Sequence, residues 1–457
     1  MKWIALSLAL TALVGSVRAD AVDDLVRAEM KKDRVPGMVI GIVRDGKLVR
    51  TSSYGMADLE LNVKTKDDML FEIGSMTKQF TAFGAMLLVD QGKLSIDDPV
   101  SKYLREAPAS WSQMKVSNLL YQTSGLPDYA FVAGLALTDE FDRKAFFDKI
   151  AAMPLDFPVG STWAYSNTNY ALMGWIIEKA SGKPYTQFIQ ENILKPLGMN
   201  HTVYGTMYDI LPNRAAGYYN MEPQHLMRAK PSGASIDSDG SLLSCVQDLA
   251  IWDKALADRK LLSKAGYERI WSPAVLNSGH KRFYGMGWFL SPYGIQDYVG
   301  HGGNSSGYSA GLARYPDEKL SVIVLSNVYA IGGEAFAKKI AETIDPKVKW
   351  PVPSEAPDPN TKRTEELKTA LSELAAKDVS GTFLEPDMTA PLKTLRLANA
   401  FVSLKNLDKL AFCSEKPYGD DTLLTYDLTA TGHPYTLMAL WSKEGKLAHL
   451  ILQPRGA

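Results

Sequence analysis

A serine and a lysine one helical turn apart are the first residues whose types and spacing could do chemistry. Residues 74–80 read GSMTKQF, so Ser75 precedes Lys78 by three places where an apolar helical pattern begins. Positions i and i+3 of a helix share a face. A lysine amine in a dry cleft loses its proton more readily and can then accept one from a serine hydroxyl. The helix N-terminus also favours the alkoxide that would form.

The Ser-x-x-Lys pattern is weak when taken alone. It recurs at Ser112 and Lys115, and about two chance matches are expected for this composition. The bare motif is explained at least as well by a helix in which Ser75 is the N-cap and Lys78 is a solvated surface charge. Context separates the two matches, because only Ser75 stands at the start of a strong helical pattern.

A second candidate element is Tyr165-Ser166-Asn167, which lies between Pro158-Val159-Gly160 and a helical pattern. This position predicts a loop between elements, where catalytic groups are common. A tyrosine near an ammonium group can have a lowered pKa and act as a general base, and the Asn167 amide can hold a substrate carbonyl. The pattern recurs at Tyr218-Tyr219-Asn220. The alternative is a packed tyrosine followed by a helix cap.

A third element is His301-Gly302-Gly303-Asn304. Its glycines would let a substrate approach a strand backbone, and that backbone can offer an N–H to an oxyanion. A lone histidine is more often structural than catalytic. The overlapping residues 303–307 also fit the Gly-x-Ser-x-Gly nucleophile elbow, but that motif needs a helix after it. Residues 308–315 have a strand pattern instead, which disfavours the elbow.

The elements that would position these groups follow from periodicity and turn residues. Residues 38–44 and 47–54 flank Asp45-Gly46 and predict a β-hairpin. Helical signals dominate from about 75 to 280, and extended patterns return from about 283 to 328. This order predicts an α+β fold: an antiparallel sheet built from both ends of the domain, flanked by helices, with an inserted helical lobe and a cleft between sheet and lobe.

Segments of other kinds lie at the two ends of the chain. Residues 1–19 combine Lys2, an apolar run too short to span a bilayer, and Val17 and Ala19 at a cleavage site, which predicts a signal peptide and a periplasmic or secreted protein. Residues 20–345 would form the catalytic domain. Residues 346–362 contain five prolines and predict a linker. Residues 363–457 would form a small C-terminal α+β domain.

Composition excludes several classes of function. The formal net charge of −1 gives no basic excess for nucleic acid, and no later apolar run is long enough for a transmembrane helix. Cys245 and Cys413 cannot form a metal cluster alone, and the six histidines show no HExxH spacing. Two free, partly buried thiols are the default expectation, and the sequence leaves open whether they pair.

The three motifs occur in order, each in suitable context, and the chain resembles the serine β-lactamase and penicillin-binding-protein superfamily. It is most similar to the class C-like branch, which includes D-Ala-D-Ala carboxypeptidases, D-aminopeptidases of the peptidase S12 type and family VIII esterases. The resemblance covers roughly residues 22–340. Its blocks are FEIGSMTKQFTA, LLVDQGKLSIDDPVSKYL, NLLYQTSGLPDY, PVGSTWAYSNTNYALMGWIIEKASGKPY and ILKPLGM.

The resemblance implies an acyl-enzyme hydrolase. Ser75 would be the acylated nucleophile, Lys78 would shuttle its proton, and Tyr165 would be the companion base that later activates water. The oxyanion would lie between the backbone N–H groups of Ser75 and Asn304. No metal or organic cofactor is implied, and the partner would be a small ester, amide or peptide substrate. The substrate-binding residues would be Asn167, His301, Gly302, Gly303 and Asn304.

One departure from the family pattern bears on the substrate. Antibiotic-hydrolysing members usually carry Lys-Thr-Gly where this chain has His301-Gly302-Gly303, so the fixed positive charge for a substrate carboxylate is missing. This favours small esters or amides, D-amino-acid peptides included, over efficient β-lactam hydrolysis. Two alternatives stay open: a weak or true β-lactamase, and a non-catalytic protein that binds cell-wall peptides on the same scaffold.

Overall fold

A computed structural model describes most of the chain. The predicted signal peptide, residues 1–19, lies outside the described residues, as do residues 350–353 of the predicted linker. The boundaries of that linker stay a prediction. The described residues are 21–135, 142–206, 208–221, 225–230, 237–291, 297–329, 331–349, 354–376, 384–386, 388, 404 and 406–454.

Strands lie at both ends of the predicted catalytic domain, and most of its helices lie between them. A 3-10 turn, Gly74–Met76, precedes α2, and a π-helical segment, Gln190–Leu194, joins α6 to α7. The strands are β1 (Gly37–Arg44), β2 (Lys47–Asp58), β3 (Val63–Lys64), β4 (Phe71–Glu72), β5 (Val203–Tyr204), β6 (Tyr218–Met221), β7 (His225–Arg228), β8 (Leu242–Ser244), β9 (Ala274–Val275), β10 (Lys281–Arg282), β11 (Phe289–Leu290), β12 (Val299–Ser305), β13 (Tyr308–Tyr315) and β14 (Leu320–Ser326). The helices are α1 (21–32), α2 (Thr77–Asp90), α3 (Val116–Leu120), α4 (Arg143–Ala151), α5 (Asn167–Ser181), α6 (Tyr185–Ile189), α7 (Lys195–Leu197), α8 (Val246–Ala257), α9 (Lys264–Ile270) and α10 (Gly333–Ile344).

The main sheet joins the two ends of the domain. Its antiparallel order is β11-β12-β13-β14-β1-β2-β3, and β1 pairs with β14 from Met38 opposite Ser326 to Arg44 opposite Leu320. Asp45 and Gly46 have φ angles of 51° and 71°, which is the two-residue hairpin geometry in which both central residues have positive φ. The predicted hairpin, the sheet built from both ends and the α+β fold class are therefore confirmed.

The two faces of the sheet are buried by different helices. Val39 and Val43 of β1 belong to the core shared with α2, α5 and α8. Met38, Ile40 and Ile42 belong to the core shared with α1 and α10. Strand side chains alternate between the two faces of a sheet. Because both faces of β1 are covered, its sequence is a continuous apolar run.

Helix α2 runs through the interior of the catalytic domain. Every residue from Thr77 to Leu88 is buried, as expected for a helix surrounded by other elements. Phe80 stacks on Trp252 of α8, with ring centroids 4.4 Å apart. Gly84 allows α6 to approach closely, since a Cβ there would lie 2.7 Å from Ile189 Cδ1. This packing fixes the start of α2, which carries the first motif.

The C-terminal domain combines one helix with an antiparallel sheet. Leu367 and Leu371 of the helix share a core with Tyr426 and Trp441 of the sheet. The helix contains the segment TEELKTALSELA, and two of the strands contain TLLTYDL and YTLMALW. These elements are α11 (Thr361–Ala375), β15 (Leu407–Tyr418), β16 (Asp421–Ala430), β17 (His433–Trp441) and β18 (Leu447–Pro454), with the strands in that order in the sheet.

Two further expectations concern the cysteines and the membrane. Cys245 and Cys413 are both buried and neither forms a disulfide, which confirms the default expectation of two thiols. Across the described residues, no helix combines the length and apolar character needed to cross a bilayer.

Candidate active site

Ser75 lies in the 3-10 turn that leads into α2, and it does not cap that helix. The N-cap of α2 is Met76, and its side chain makes no capping hydrogen bond. Lys78 is fully buried, with 0% relative exposure. The alternative of a capping serine and a solvated surface lysine is therefore wrong. The second Ser-x-x-Lys match differs, because Ser112 and Lys115 are both exposed.

The amine of Lys78 is surrounded by oxygen acceptors. Its Nζ lies 3.0 Å from Ser75 Oγ, 2.7 Å from Asn167 Oδ1 and 2.8 Å from the backbone oxygen of Asp239. A lysine ammonium has three N–H donors, so these three contacts fit the protonated side chain. The structure thus brings Asn167 to Ser75 and Lys78, although Asn167 lies 89 positions after Lys78 in the sequence.

The same three contacts also fit a neutral Lys78. A neutral amine has one lone pair and two N–H groups, so it can accept the Ser75 hydroxyl proton and still donate to Asn167 Oδ1 and the Asp239 carbonyl. Only the hydrogen bond between Ser75 and Lys78 changes direction. Proton exchange between these two side chains therefore leaves none of these buried groups without a partner, which would otherwise be costly.

Tyr165 packs directly over this pair. Lys78 Nζ lies 4.9 Å from the centroid of its ring, a cation–π distance. Burial raises the pKa of Tyr165 well above 10, and nearby Tyr284 acts in the same direction, whereas a hydrogen bond with the Ser75 side chain opposes the shift. The lowered pKa expected from the sequence is wrong, because desolvation of the phenolate outweighs the nearby ammonium. Tyr165 is thus a neutral phenol that can relay a proton by giving one as it takes one.

The Asn167 side chain is held at both ends. Its Oδ1 accepts from Lys78, and its Nδ2 donates to Asp128 at 3.1 Å and 3.3 Å from the two carboxylate oxygens. Asp128 also accepts from the backbone N–H of Asn167 at 3.2 Å. Hydrogen bonds to a charged partner are stronger than neutral ones, so Asp128 fixes the direction of the amide. The amide is therefore oriented with Oδ1 towards Lys78 and Nδ2 towards Asp128.

A second carboxylate, that of Asp239, lies behind Lys78. It is 2% exposed and accepts a hydrogen bond of 2.8 Å from the Tyr129 hydroxyl. Burial raises the pKa of Asp239, while the Lys78 charge and the Tyr129 hydrogen bond act in the opposite direction. The sequence analysis missed both Asp239 and Asp128, because isolated aspartates carry no diagnostic spacing. The TSGLPDY block contains Asp128 and was the only available signal for it.

Strand β12 lies directly against the turn that carries Ser75. A Cβ at Gly303 would be 1.8 Å from the backbone oxygen of Ile73 and 3.0 Å from the backbone nitrogen of Ser75. A Cβ at Gly74 would be 2.8 Å from the backbone nitrogen of Asn304. Glycine at both positions therefore permits the close approach. As a result, the backbone nitrogens of Ser75 and Asn304 lie at the same contact between turn and strand.

His301 is buried in an aromatic cluster beside Tyr165. Its ring centroid lies 4.9 Å from that of Phe289 and 6.0 Å from that of Tyr165. Its Nδ1 contacts the Gly302 carbonyl at 2.5 Å, and its Nε2 contacts the Tyr284 hydroxyl at 3.3 Å. Burial lowers the pKa of His301 to about 4, and the Lys78 charge adds to this effect. The imidazole is neutral at pH 7 and supplies no charge for a substrate carboxylate.

The other two residues of the third motif, Gly302 and Asn304, have surroundings that differ from those of His301 and Gly303. A Cβ at Gly302 would point towards Glu334 of α10, on the side of the sheet away from Ser75. The Asn304 side chain is exposed and accepts a hydrogen bond of 2.8 Å from Ser309 Oγ. The nearby Gly-x-Ser-x-Gly match is a hairpin, because β12 ends at Ser305 and β13 begins at Tyr308. The disfavoured elbow interpretation is therefore wrong.

The other recurrence, Tyr218-Tyr219-Asn220, lies on β6. The Tyr218 hydroxyl accepts from the Leu59 backbone at 2.8 Å, and Asn220 Nδ2 donates to the Asp33 carbonyl at 3.0 Å. These are contacts that connect elements of the fold. Sequence context had selected Tyr165 for its position before a helix, and the structure places that tyrosine beside Ser75.

A cluster of possible metal donors lies elsewhere, at the start of α8. Atoms of His201, Cys245 and Asp248 lie within 4.8 Å of one another. However, Asp248 Oδ2 already accepts from the backbone N–H groups of His201 and Thr202, at 2.8 Å and 2.7 Å. Burial raises the pKa of the Cys245 thiol to about 11, which disfavours the thiolate that a metal needs. The contacts of Asp248 are therefore structural, because they hold the backbone of His201 and Thr202 against the start of α8.

Comparison with known proteins agrees with this fold and identifies a member of the serine β-lactamase and penicillin-binding-protein superfamily. The sequence profile of the Beta-lactamase family matches residues 22–341. The chain belongs to that family. The matched region contains all three motifs of the candidate site.

Similar proteins of known name include two from Bacillus subtilis (strain 168). The chain is 33% identical to Penicillin-binding protein 4* over 318 residues, which cover 65% of this chain and 69% of that protein. It is 30% identical to Putative penicillin-binding protein PbpX over 261 residues, which cover 57% of this chain and 63% of that protein.

Two solved structures share the fold. The octameric penicillin-binding protein homologue from Pyrococcus abyssi superposes with a TM-score of 0.64 at 24% identity, covering 95% of this chain and 100% of that chain. The D-stereospecific amidohydrolase from a Streptomyces species superposes with a TM-score of 0.58 at 25% identity, covering 68% of this chain and 94% of that chain. The first likeness extends into the C-terminal domain.

Proposed function

We propose that this chain is an exported serine hydrolase that acts through an acyl-enzyme on small esters or amides, with D-amino-acid peptides among its candidate substrates. The observation that carries the proposal is the 3.0 Å contact between Lys78 Nζ and Ser75 Oγ in a buried site. Lys78 takes the hydroxyl proton as Ser75 attacks the substrate carbonyl. Tyr165 relays a proton to the leaving group and later helps to activate water.

The backbone between Ser75 and Asn304 supplies the second part of the mechanism. Negative charge develops on the carbonyl oxygen as the tetrahedral intermediate forms, and paired backbone N–H groups stabilise such an oxyanion. The contact between β12 and the Ser75 turn supports this role. Asn167, oriented by Asp128, holds the acyl side of the substrate through Nδ2.

The charges around the site support uncharged acyl groups or substrates with an amino group. His301 is neutral, so it does not attract a carboxylate as a lysine would. Asp128 and Asp239 place carboxylates near the site, and Lys78 is engaged with Ser75 and Asn167. The likeness to the D-stereospecific amidohydrolase keeps amides of D-amino acids among the candidates.

Export and the partner class belong to the same proposal. Residues 1–19 have the pattern of a signal peptide, so we expect a periplasmic or secreted mature protein that starts near Asp20. Its partner is a small-molecule ester, amide or peptide, and no nucleic acid is expected at a net charge of −1. N-terminal sequencing of the protein made in its native host tests this part, and an intact Met1 would contradict it.

Hydrolysis assays with matched variants test the chemical proposal. Purified protein is incubated with p-nitrophenyl acetate, D-alanine p-nitroanilide and a chromogenic cephalosporin. We expect Ser75→Ala to reduce ester or anilide turnover by roughly 10³-fold or more. The control is Ser112→Ala, which removes the serine of the exposed second match and should leave turnover unchanged. Mass spectrometry with an acylating probe should locate the adduct on Ser75.

The alternatives give different results in the same assays. Rapid cephalosporin turnover that depends on Ser75 would identify a β-lactamase. Absence of all turnover, together with binding of cell-wall peptides, would identify a non-catalytic binding protein. An adduct on any side chain other than Ser75, or full activity in Ser75→Ala, would end the proposed mechanism.

A further inference from the structure

A cavity lies at the junction of the catalytic and C-terminal domains. Its volume is about 390 Å³, which is within the range of small-molecule sites. Aromatic residues near β10 and β11 form one wall, α10 forms another, and β18 of the C-terminal domain forms a third. The lining residues on which the argument rests are Tyr284, Phe289, Glu334, Lys338, Leu450 and Ile451.

Direct contacts hold β18 in place as a wall of this cavity. Arg282 is 3% exposed, and its Nη2 donates to the Ala448 carbonyl at 3.0 Å. The Phe283 ring lies 5.2 Å from the Tyr418 ring and 5.8 Å from the His449 ring, measured between centroids. The cavity is therefore lined by residues of both domains.

The charged groups around the cavity are satisfied by one another or by the backbone. Lys338 and Glu334 form an ion pair of 2.8 Å. Arg282 donates to two backbone carbonyls, those of Lys281 and Ala448. Burial lowers the pKa of His449 to about 3, so this imidazole is neutral. Most of the other lining is aromatic or aliphatic, and the lining as a whole suits an uncharged apolar group.

The ring wall of the cavity is also part of the surroundings of the catalytic residues. The Tyr284 ring lies 6.2 Å from that of Tyr165 and 6.0 Å from that of His301. The Phe289 ring lies 6.4 Å from that of Tyr165 and 4.9 Å from that of His301. A single layer of rings thus contacts the proton relay and also lines the cavity.

We propose that this cavity binds an uncharged molecule or group with an aromatic or aliphatic body, and that the C-terminal domain supplies part of this site. The group has two possible sources. It is either a separate small molecule, or the apolar part of a long-chain ester that is held at Ser75. The second source rests on the proposed function, whereas the first does not.

Fluorescence binding tests the site without any need for turnover. The probe is N-phenyl-1-naphthylamine, an uncharged dye that becomes brighter in apolar surroundings. We expect saturable binding to the full-length protein. Ile451→Trp fills the cavity from β18 and should weaken the dye's affinity by about tenfold or more. The control is Val275→Trp, which adds the same ring at a position that is 60% exposed and outside the cavity lining.

Ester hydrolysis then distinguishes the two sources. If the dye raises the KM for p-nitrophenyl octanoate and leaves p-nitrophenyl acetate unaffected, the site takes the acyl chain. If the dye changes both esters alike, or neither, while still binding, the site takes a separate molecule. Should Ile451→Trp fail to fold, Ile451→Phe adds a smaller ring at the same position of β18.

Two results would overturn the inference. One is the absence of saturable dye binding, and the other is equal affinity in wild type and in the folded cavity-filling variant. A protein that binds the dye but hydrolyses neither the esters nor the D-alanine anilide would contradict the proposed function and leave this site intact. The two proposals therefore fail separately.

Discussion

At the scale of single residues, the candidate site depends on buried polar groups that satisfy one another. Lys78 has three oxygen acceptors within 3.0 Å, and Asn167 connects it to Asp128. The neutral His301 lies in the aromatic cluster beside Tyr165. Burial sets the protonation states of Tyr165 and His301, since in both cases it disfavours the charged form.

Protonation of His301 should make the protein less stable in acid. The imidazole has an ordinary pKa of 6.5 when unfolded and about 4 when folded, so between these values the unfolded chain binds the extra proton. The contribution of the neutral His301 to the free energy of unfolding is therefore fully present above pH 6.5 and is lost as the pH falls towards 4. Between pH 7 and pH 5 we expect His301 to account for a loss of about 2 kcal/mol. Urea unfolding at pH 7 and at pH 5 measures this loss of unfolding free energy.

The matched variant is His301→Gln, which keeps a polar side chain but cannot titrate. Its loss of unfolding free energy between pH 7 and pH 5 should be smaller than that of the wild type by about 2 kcal/mol. His449 is present in both proteins, so its own titration cancels in the comparison. An equal loss in the two proteins would show that the buried imidazole does not titrate as inferred.

The residue types of the site were predictable, but their environment was not. Ser75, Lys78 and Tyr165 could be selected because few side chains support nucleophilic and proton-transfer chemistry. Asp128 and Asp239 could not be selected, because aspartates are common and their roles depend on which buried amide or amine lies beside them. The direction of the Tyr165 pKa was wrong for the same reason, since sequence shows neighbours but not desolvation.

At the scale of elements, the site is formed where β12 contacts the turn before α2. The contact is close because Gly303 and Gly74 have no side chains between the two backbones. The positive φ of 51° at Gly74 also favours glycine. From the glycines of the third motif we predicted that a substrate would approach the β12 backbone closely. In the structure, the turn that carries Ser75 makes this close approach.

Alanine substitutions at Gly303 and Gly302 should show whether the spacing between β12 and the Ser75 turn limits the reaction. In Gly303→Ala, the new methyl group would lie 1.8 Å from the Ile73 oxygen, so β12 must move away from Ser75. We expect a loss of stability of about 3 kcal/mol and a fall in acylation rate of about 100-fold. Thermal unfolding and single-turnover kinetics measure the two effects.

The control for this experiment is Gly302→Ala, one residue earlier on the same strand. Its methyl group would lie 3.1 Å from Glu334 Cβ, on the face of the sheet away from Ser75. We expect a cost of about 1 kcal/mol or less and nearly normal acylation. Equal kinetic defects in both variants would show that the spacing between β12 and the Ser75 turn is not what limits the reaction.

At the scale of the whole molecule, the two domains are joined by a partly polar junction. Arg282 donates to the Ala448 carbonyl across it, and His280 lies 3.6 Å from Asp421. The helix and strands of the C-terminal domain could be predicted from periodicity and length. Their docking against residues 281–284 could not, because the contacts join segments that have no recognisable pairing signal.

Removal of the buried guanidinium should weaken the junction. In Arg282→Leu the Ala448 carbonyl loses a charged donor, and we expect a cost of about 2 kcal/mol. Differential scanning calorimetry should then show the C-terminal domain unfolding at a lower temperature than the catalytic domain. Arg105→Leu makes the same change at an exposed position of the first domain; it is the control and should change the profile little. A single unshifted transition in Arg282→Leu would show that other contacts hold the domains together.

The central strand pair of the main sheet has a consequence for how the protein is made. Gly37 donates its backbone N–H to Asn327 Oδ1 across 290 positions of the chain, and β1 lies between β2 and β14 in the sheet. During synthesis on the ribosome, the first hairpin therefore waits with one edge open until residue 326 has emerged. Pairing over so long a separation is slow, and the nascent chain has to be kept from joining other open strands in the meantime.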